Sequence, residues 1–271
     1  MILPASYSNG FAPRDGRPLY PELWRGCMFA AAPCLGPTGL TLRDWSGRRN
    51  HGTLTNMDAG TDWVASQGRY ALDFDGSNDY VSLATNITVY PFSVSVWWYP
   101  TDMTVFSTIF AISAATGADR RWTMEMRNNT ESNFLALTAQ SAPTYSQTNS
   151  TASCVVNTWQ HCVAVFTSAT SRTIYLRGGN SATGATNVTP AGIDTTAIGR
   201  LVNGTGPSGV NYAKGQIDDV MLFDRSLPAN EIRLLSSRRG IAYELAPRRR
   251  SSVQVTASFN RRRRLLVGAG S

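Results

Sequence analysis

Short runs in which apolar and polar residues alternate recur along most of this chain. In Phe92–Tyr99 the residues at every second position are apolar and the intervening ones begin as serines, and residues 215–223 repeat the alternation. A period of two is typical of a β-strand with one buried face. Glycine, asparagine, serine, threonine and proline cluster between the runs, as in turns. About ten such runs without helices between them predict an all-β sandwich or barrel.

The same pattern places the individual strands. We predict them near 70–74, 79–83, 92–99, 107–113, 120–126, 133–139, 152–157, 159–167, 172–177, 195–201 and 215–223. Asp75 and Gly76 separate the first two and predict a hairpin, because glycine adopts a positive φ without a Cβ clash. A short surface helix is predicted from Pro228 to Arg239, since proline suits its first position and basic residues its end.

Charge is distributed unevenly along the 271 residues. Apolar residues make up 42% and charged residues 16%, which is typical of a globular protein with a sizeable core. The net charge is +7, but the segment from Ser237 onwards contains nine arginines and one glutamate. That segment carries +8 and the rest of the chain −1, so the basicity belongs to the C-terminal tail.

Neither a secretion signal nor a membrane span is indicated. Residues 1–10 lack a basic start followed by an apolar run, and no stretch approaches the roughly 18 apolar residues of a span. Classical secretion and a membrane partner are therefore not expected. The cysteines form no CxxC pair and do not suggest a zinc ribbon or redox motif. For Cys162, inside an apolar run, we predict a buried free thiol; disulfides elsewhere stay open.

Several short segments occur in the order found in one known family, and the resemblance that they carry extends over roughly residues 40 to 236. They are Ala71–Val81, Pro91–Trp97, Trp159–Ala164, Ile174–Gly178, Ile198–Arg200, Gly215–Val220 and Leu227–Ile232. This series resembles the laminin-G-like jelly rolls of the concanavalin-A-like lectin/glucanase superfamily. The resemblance implies two stacked antiparallel sheets, one of them concave, with ligands often bound on the concave face or on the loops at its rim.

We therefore predict an all-β, two-sheet antiparallel jelly-roll sandwich with one short C-terminal surface helix and extended terminal arms. Residues 1–24 form the N-terminal arm, residues 25–240 the laminin-G-like domain, and residues 241–271 an arginine-rich C-terminal arm. Tyr20–Gly26 and the arginine-rich C-terminal segment resemble the arms of lectin-like virion proteins of tailed bacteriophages.

Catalysis is not expected. The glucanases of this superfamily carry their carboxylates on one strand in a Glu-x-Asp-x-x-Glu pattern, and glycoside hydrolysis needs such a pair. The pattern is absent here, and the glutamates in the middle of the chain are Glu125 and Glu131. We predict no catalytic residues and no enzymatic activity.

Asp44 and Asp218 are the candidate metal ligands. In the relatives that the resemblance points to, calcium often bridges an early D-x-S-G loop and the acidic residue of the last strand, and hard oxygen ligands suit calcium. The alternative is that Asp44 caps its own turn and Asp218 pairs with an arginine. Calcium is the only cofactor that the sequence suggests.

The aromatic residues and histidines favour structural roles. Trp97, Trp98, Tyr99 and Trp122 could stack on sugar rings, but aromatic residues in a sandwich more often form its core. His161 follows Trp159 in a core strand and has no histidine near it in sequence, so we predict a structural role. The sequence does not indicate which residues would contact a glycan.

Two arginine blocks lie in the C-terminal arm. They are Arg248, Arg249 and Arg250, followed by Arg261, Arg262, Arg263 and Arg264. They could bind nucleic acid, lie across an acidic protein partner, or form a solvated tail. The alternating segment between the blocks suggests a strand added to a neighbour's sheet. We favour the protein partner, with nucleic acid as the next interpretation.

These features lead to three functional hypotheses. The first is a non-catalytic virion structural protein, a decoration or fibre-like subunit that assembles with other virion proteins or with itself and could bind a surface glycan. The second is a free carbohydrate-binding lectin or adhesin with an extracellular location. The third is a glycoside hydrolase, which the missing carboxylate pattern disfavours.

Overall fold

Two eight-stranded antiparallel sheets dominate the computed structural model, which describes residues 18–85, 87–116, 119–127, 133–202 and 209–245. This architecture confirms the predicted two-sheet jelly-roll sandwich. Within the described residues there is one α-helix, α1 (Ala229–Leu235), which starts directly after Pro228 and ends earlier than predicted.

The first sheet contains the strands with the clearest alternation. Its strands are β1 (Cys27–Ala31), β4 (Trp63–Ser66), β5 (Arg69–Asp75), β7 (Phe92–Pro100), β12 (Gln160–Ser168), β13 (Ser171–Leu176), β14 (Gly179–Gly184) and β18 (Lys214–Phe223). They pair in the order β14-β13-β12-β7-β18-β5-β4, and β1 also pairs with β18.

The second sheet packs against the first. Its strands are β2 (Thr41–Leu42), β3 (Gly52–Thr55), β6 (Tyr80–Leu83), β8 (Ser107–Ser113), β9 (Arg120–Arg127), β10 (Phe134–Ser141), β11 (Thr144–Ser153) and β15 (Thr195–Ile198). They pair in the order β11-β10-β9-β8-β15-β6-β3-β2, and a separate two-stranded pair joins β16 (Leu201–Val202) to β17 (Gly209–Val210).

The turn at Asp75 and Gly76 connects the two sheets, so the predicted hairpin is wrong. β5 pairs with β4 and β18 in the first sheet, whereas β6 pairs with β3 and β15 in the second. Gly76 has the expected positive φ of 80°, and the Asp75 carboxylate accepts hydrogen bonds from the backbone of Ser77 and Asn78. A tight-turn sequence therefore marks a reversal of the chain without specifying which strands pair.

The main core lies between the two sheets. Phe92 and Trp98 enter it from the first sheet, and Trp122, Met124 and Leu137 enter it from the second. Fully burying a large apolar side chain contributes about 1.5–3 kcal/mol, so this layer supplies most of the driving force for folding.

A second apolar cluster covers the outer face of the first sheet. Val163 on β12 and Met221 on β18 point away from the main core and contact residues outside the sheets. The covering residues include Leu23 near the N-terminal end, Ile232 on α1, and Ile241 after the helix. The helix therefore closes one side of the sandwich.

The two ends of the described chain meet on this cluster. Pro18 and Leu245 form an antiparallel bridge, and the Leu19 amide donates to the Glu244 carbonyl at 2.7 Å. The Trp24 indole donates to the Ala242 carbonyl at 3.0 Å. Residues 18–24 and 241–245 thus pack on the sandwich, while 1–17 and 246–271 lie outside the described residues. The domain limits at 24 and 240 stay predictions.

Candidate functional site

The outer face of the second sheet, which we call the polar face, carries rows of polar and small side chains. Alternate residues of β8–β11 enter the main core, and the remaining ones align across the strands on the other side. The first row is Thr195, Ser113, Arg121, Gln140 and Tyr145; the second is Ala197, Ala111, Thr123, Thr138 and Gln147; the third is Thr108, Glu125, Ala136 and Asn149.

Small side chains form the floor of the polar face. Ala111, Thr123, Ala136 and Thr138 occupy its centre and are almost completely shielded from solvent. Larger side chains, among them Arg121 and those of β11, border this floor. The result is a strip where the backbone can be approached closely, with long polar groups around it.

Four longer side chains form a hydrogen-bonded chain along the polar face. Arg127 Nη1 donates to Tyr145 Oη at 2.7 Å, Tyr145 donates to Gln147 Oε1 at 2.7 Å, and Gln147 donates to Asn149 Oδ1 at 2.7 Å. Arg127 lies one row beyond the third row and Tyr145 lies in the first. These two side chains must therefore extend along the face to meet.

Buried oxygen atoms of three side chains on the polar face have no hydrogen-bond partner among the described residues. They are Thr108 Oγ1, Thr138 Oγ1 and Gln140 Oε1. Buried polar atoms in folded proteins nearly always have a partner, so such atoms call for a ligand, a water or a movement that satisfies them. Their position on one face makes that face the strongest candidate for a polar ligand.

Glu125 supplies a carboxylate beside this floor. Its Oε1 accepts a hydrogen bond from Thr123 Oγ1 at 2.8 Å, and its Oε2 lies 3.4 Å from Arg127 Nη1. Both oxygens thus have partners, and the side chain is 7% exposed. This arrangement holds the carboxylate in place as a fixed acceptor. Glu131, the other glutamate of the region, lies outside the described residues.

Asp44 caps the loop that follows it. Its carboxylate accepts hydrogen bonds from the backbone of Ala30, Ser46 and Asn50 at 2.8–3.0 Å and from the Ser46 hydroxyl at 2.8 Å. Four donors on two oxygens are the arrangement expected of a carboxylate that organises a turn.

Asp218 lies in a different buried cluster, at a β-bulge of β18. Its Oδ1 accepts from the Cys34 and Asp219 amides at 2.9 and 2.8 Å, and its Oδ2 lies 3.7 Å from Arg239 Nη1. Cys34 Sγ donates to Asp219 Oδ1 at 3.2 Å, and the Gly240 amide donates to Asp219 Oδ2. Burial raises the pKa of both aspartates, and for Asp218 the neighbouring Asp219 raises it further while Arg239 opposes the rise.

The two predicted metal ligands do not present a calcium shell. Calcium takes six to eight oxygen ligands, but the oxygens of Asp44 are engaged by four protein donors. Around Asp218, the group of potential ligands whose donor atoms lie within 4.8 Å consists of Cys34, Asp218 and Asp219, with a guanidinium beside it. This geometry favours turn capping for Asp44 and arginine pairing for Asp218, and calcium at this pair stays a prediction.

The aromatic residues divide between the core and the first sheet's outer side. Trp98 and Trp122 are buried in the main core, as predicted. Trp97 is half-buried, and its ring lies 5.3 Å from that of His161. His161 is fully buried, and Nε2 is 2.8 Å from Ser95 Oγ. Burial lowers the pKa of His161 to about 3, so the ring is neutral at ordinary pH.

The residues of the polar face were not predicted as site residues, and those predicted for the arm cannot be placed. Arg248, Arg249, Arg250 and Arg261 to Arg264 lie outside the described residues. The sequence analysis missed four residues of the polar face because polar strands carry little hydrophobic signal: Arg127, Tyr145, Gln147 and Asn149. A search for alternation of small and long polar residues in 144–153 could have identified β11. Among the described helices, none is long and apolar enough to cross a membrane.

The fold places the chain among lectin-like jelly-roll domains. Domain 4 of AbnA, a GH43 extracellular arabinanase from Geobacillus stearothermophilus solved with arabinotriose, is 19% identical, with a TM-score of 0.61 over 78% of this chain and 98% of that domain. The sialidase CBM40 of Ruminococcus gnavus bound to α2,3-sialyllactose is 9% identical, with a TM-score of 0.53 over 61% of this chain and 96% of that domain.

A third structure, the binding domain of botulinum neurotoxin serotype D, is 15% identical, with a TM-score of 0.56 over 78% of this chain and 51% of that one. A search of curated proteins gave no match. The Laminin_G_3 family model, described as concanavalin A-like lectin/glucanases superfamily, matches residues 75–233, more than half of the chain. The chain therefore belongs to this superfamily.

Proposed function

We propose that this protein is a non-catalytic glycan-binding module that holds its ligand on the polar face. The observation that carries this proposal is a set of buried side-chain atoms without partners, Thr108 Oγ1, Thr138 Oγ1 and Gln140 Oε1, on a face lined by further polar groups. Specific ligand sites combine a few precisely placed polar groups with apolar contact area.

The chemistry of the polar face matches that of a sugar. A sugar ring carries hydroxyl groups that both donate and accept hydrogen bonds, and Gln147 and Asn149 offer amides that can do the same. Glu125 adds acceptor oxygens and Arg127 adds donors. Tyr145 is 42% exposed, and its ring offers a flat apolar surface for the C–H side of a sugar. The arabinotriose and sialyllactose bound by two structural relatives support a glycan as the ligand.

The proposal includes the absence of hydrolysis. Cleavage of a glycosidic bond needs two carboxylates that flank it. Glu125 is hydrogen-bonded by Thr123 and paired with Arg127, which suits a fixed acceptor better than a proton donor. Incubation of any bound oligosaccharide with the protein should leave its length unchanged in chromatography, and shorter products would show an enzyme.

The binding test uses the full chain on a glycan array, with titration calorimetry of arabinotriose and α2,3-sialyllactose. A double variant, Gln147→Ala with Asn149→Ala, changes one exposed and one half-buried side chain of the polar face. It should weaken binding about tenfold or more, the effect of about 1.4 kcal/mol. Gln216→Ala, on the first sheet, is the matched control and should bind as wild type. Failure of wild type to bind any glycan, or unchanged binding by the double variant, would refute the proposal.

A second candidate, which can coexist with the first, is a role as a virion structural subunit, located in the virion rather than free outside cells. Two observations favour it. Residues 246–271 carry seven arginines, and the described chain ends leave the sandwich side by side at Pro18 and Leu245. Because Pro18 and Leu245 are adjacent, an acidic neighbour or a second copy could engage both terminal segments near one point of the domain.

Attachment through the arm should depend on charge. Replacement of Arg261 to Arg264 by serine should reduce incorporation into particles or self-association, most strongly at low salt, because salt screens exposed charges. Replacement of the same residues by lysine keeps the charge and is the control. Equal assembly of the serine variant and wild type across a salt series would leave only the free-lectin function, with an extracellular location.

A further inference from the structure

A cleft of about 380 Å³ opens at one end of the sandwich, beside the polar face. It is lined by Gly76, Thr104, Val105, Phe106, Asn211 and Tyr212. Its volume falls within the range of about 300–1,000 Å³ that is typical of sites for small organic ligands. The lining combines aromatic and aliphatic side chains with an asparagine, and carries no charged residue.

The walls of the cleft are held in place without a ligand. The Asp102 carboxylate accepts hydrogen bonds from the amide and the hydroxyl of Thr104, both at 2.7 Å, and lies 3.5 Å from Lys214 Nζ. Gly76 packs against Lys214 so closely that a Cβ there would lie 2.8 Å from the lysine Cβ. The cleft is therefore preformed, which lowers the entropic cost of occupying it.

Apolar surface is exposed at the mouth of the cleft. Val105 and Phe106 are 42% and 41% exposed, and Tyr212 beside them is half-buried. Contiguous exposed apolar residues rimmed by polar ones are typical of binding surfaces. A ring stacked on Phe106 would also meet the amide of Asn211, which can satisfy a hydroxyl.

Arg127 joins the cleft to the polar face. Its guanidinium carbon lies 4.7 Å from the centre of the Phe106 ring, a cation–π contact. The same guanidinium donates to Tyr145 Oη at 2.7 Å, and Tyr145 leads to Gln147 and Asn149. Between Arg121 and Arg127, β9 covers about 20 Å at the usual rise per residue. The polar face and the cleft thus form one continuous surface, longer than a single sugar ring.

We propose that the cleft is a second subsite of the same glycan site, so that the ligand is an oligosaccharide rather than a single sugar. This inference rests on the proposed glycan-binding function. One end of the oligosaccharide would lie over the polar face. Its next sugar units would pass over Arg127 and stack against Phe106 in the cleft. The uncharged lining suits sugar units without acidic groups at this end. Length selectivity is the property that this arrangement produces.

The experiment measures affinity against ligand length. The probes are a glycan array with mono- to hexasaccharides of each neutral series, and calorimetry with arabinose, arabinotriose and arabinohexaose. Wild type should bind the longest member of its preferred series at least about tenfold more tightly than the monosaccharide. Phe106→Ala should reduce this ratio to about twofold while leaving monosaccharide binding unchanged. Val89→Ala, which changes an exposed side chain on another loop, is the control.

The possible results separate the two proposals. Equal affinity for short and long sugars, or a Phe106→Ala variant that keeps the length preference, would refute the subsite and leave glycan binding intact. Binding of no array member at all would refute both. Val105→Asp provides a second disruption of the cleft, and thermal melting of each variant confirms that the sandwich is folded.

Discussion

Buried polar residues hold together parts of the sandwich that the sheets do not join. Arg172 on β13 is fully buried, and its guanidinium donates to the carbonyls of Ala169 and Thr186 and, at 3.1 Å, to the Ser146 hydroxyl on β11. It therefore connects an edge strand of the second sheet to the first sheet and to the loop after β14. A buried cation surrounded by neutral acceptors is tolerated only where the acceptors are fixed.

His161 should make the fold sensitive to acid. Its pKa is about 3 in the folded protein and about 6.5 in the unfolded chain, so the unfolded chain binds more protons between these values. The associated stability is complete above about pH 6.5 and is lost as the pH falls towards 3. Urea unfolding between pH 7 and pH 4 should show a smaller loss for His161→Gln than for wild type.

The control for this comparison is Val156→His, which adds an imidazole at an exposed position. A fully solvated ring binds protons alike in the folded and unfolded chain, so this variant should follow the wild-type profile. Identical profiles for wild type and His161→Gln would mean that the buried imidazole does not contribute to acid sensitivity.

Chelation decides whether calcium binds near Asp44 and Asp218. Since the Asp44 oxygens accept protein donors and Arg239 faces Asp218, we expect the melting temperature to be the same with and without EDTA. A ligand that binds only the native state would raise it by mass action. A decrease in EDTA that is lost in Asp218→Asn but kept in Gln216→Asn would show that calcium binds at this pair.

At the level of elements, apolar alternation predicts strands but not their partners. β7 and β18 were placed correctly because they alternate over eight or more residues and line the core. β11 was placed too late, at 152–157, because its buried positions are Ser146, Thr148 and Ser150, which carry no hydrophobic signal. Gly184 on β14 lies close to Thr148, so small polar residues fill the space where β11 and β14 approach.

The candidate site could not be predicted either, because the sequence does not show which strands pair. The rows of the polar face can be recognised only when the register of five strands from distant parts of the sequence is known. The resemblance to laminin-G-like jelly rolls could predict that one face or its rim binds ligands, but not which side chains occupy it. Side chains on a solvent-facing sheet surface are free to vary without loss of the fold, so a resemblance in core residues does not extend to them.

Truncation should separate the parts of the C-terminal segment that belong to the fold. Deletion of 246–271 should leave the melting temperature close to that of the full chain. Deletion of 241–271 also removes the buried Ile241 and the Ala242 carbonyl that accepts from Trp24, and should cost about 2–4 kcal/mol of unfolding free energy. Equal stability of the two truncated chains, measured by urea unfolding, would show that residues 241–245 add nothing to the sandwich.

For the whole molecule, the two outer surfaces differ in how they are covered. The outer side of the first sheet is covered by α1 and by both ends of the described chain, whereas the second sheet presents the polar face. A partner attached through the ends would therefore leave the polar face accessible. The proposed attachment would then not interfere with the proposed glycan binding.

The thiols should report opening of the whole fold. Cys27, Cys34, Cys154 and Cys162 are free and buried, and burial raises the pKa of Cys154 to about 12. Because only the thiolate reacts, a disulfide reagent at pH 8 should modify the native protein very slowly and all four thiols after denaturation. Val156→Cys, at an exposed position, should add one rapidly reacting thiol. Fast modification of the native wild type would mean that one of the thiols is accessible.

The bridge between Pro18 and Leu245 also determines how the domain would respond to mechanical tension. A pull applied through the two ends meets this bridge, the Leu19–Glu244 hydrogen bond and the Trp24–Ala242 hydrogen bond before it reaches any strand of the sheets. Because the two ends run antiparallel there, the bonds would open one after another, as in unzipping, at low force. The bridge between Pro18 and Leu245 would therefore break first, at a force that leaves the jelly roll folded.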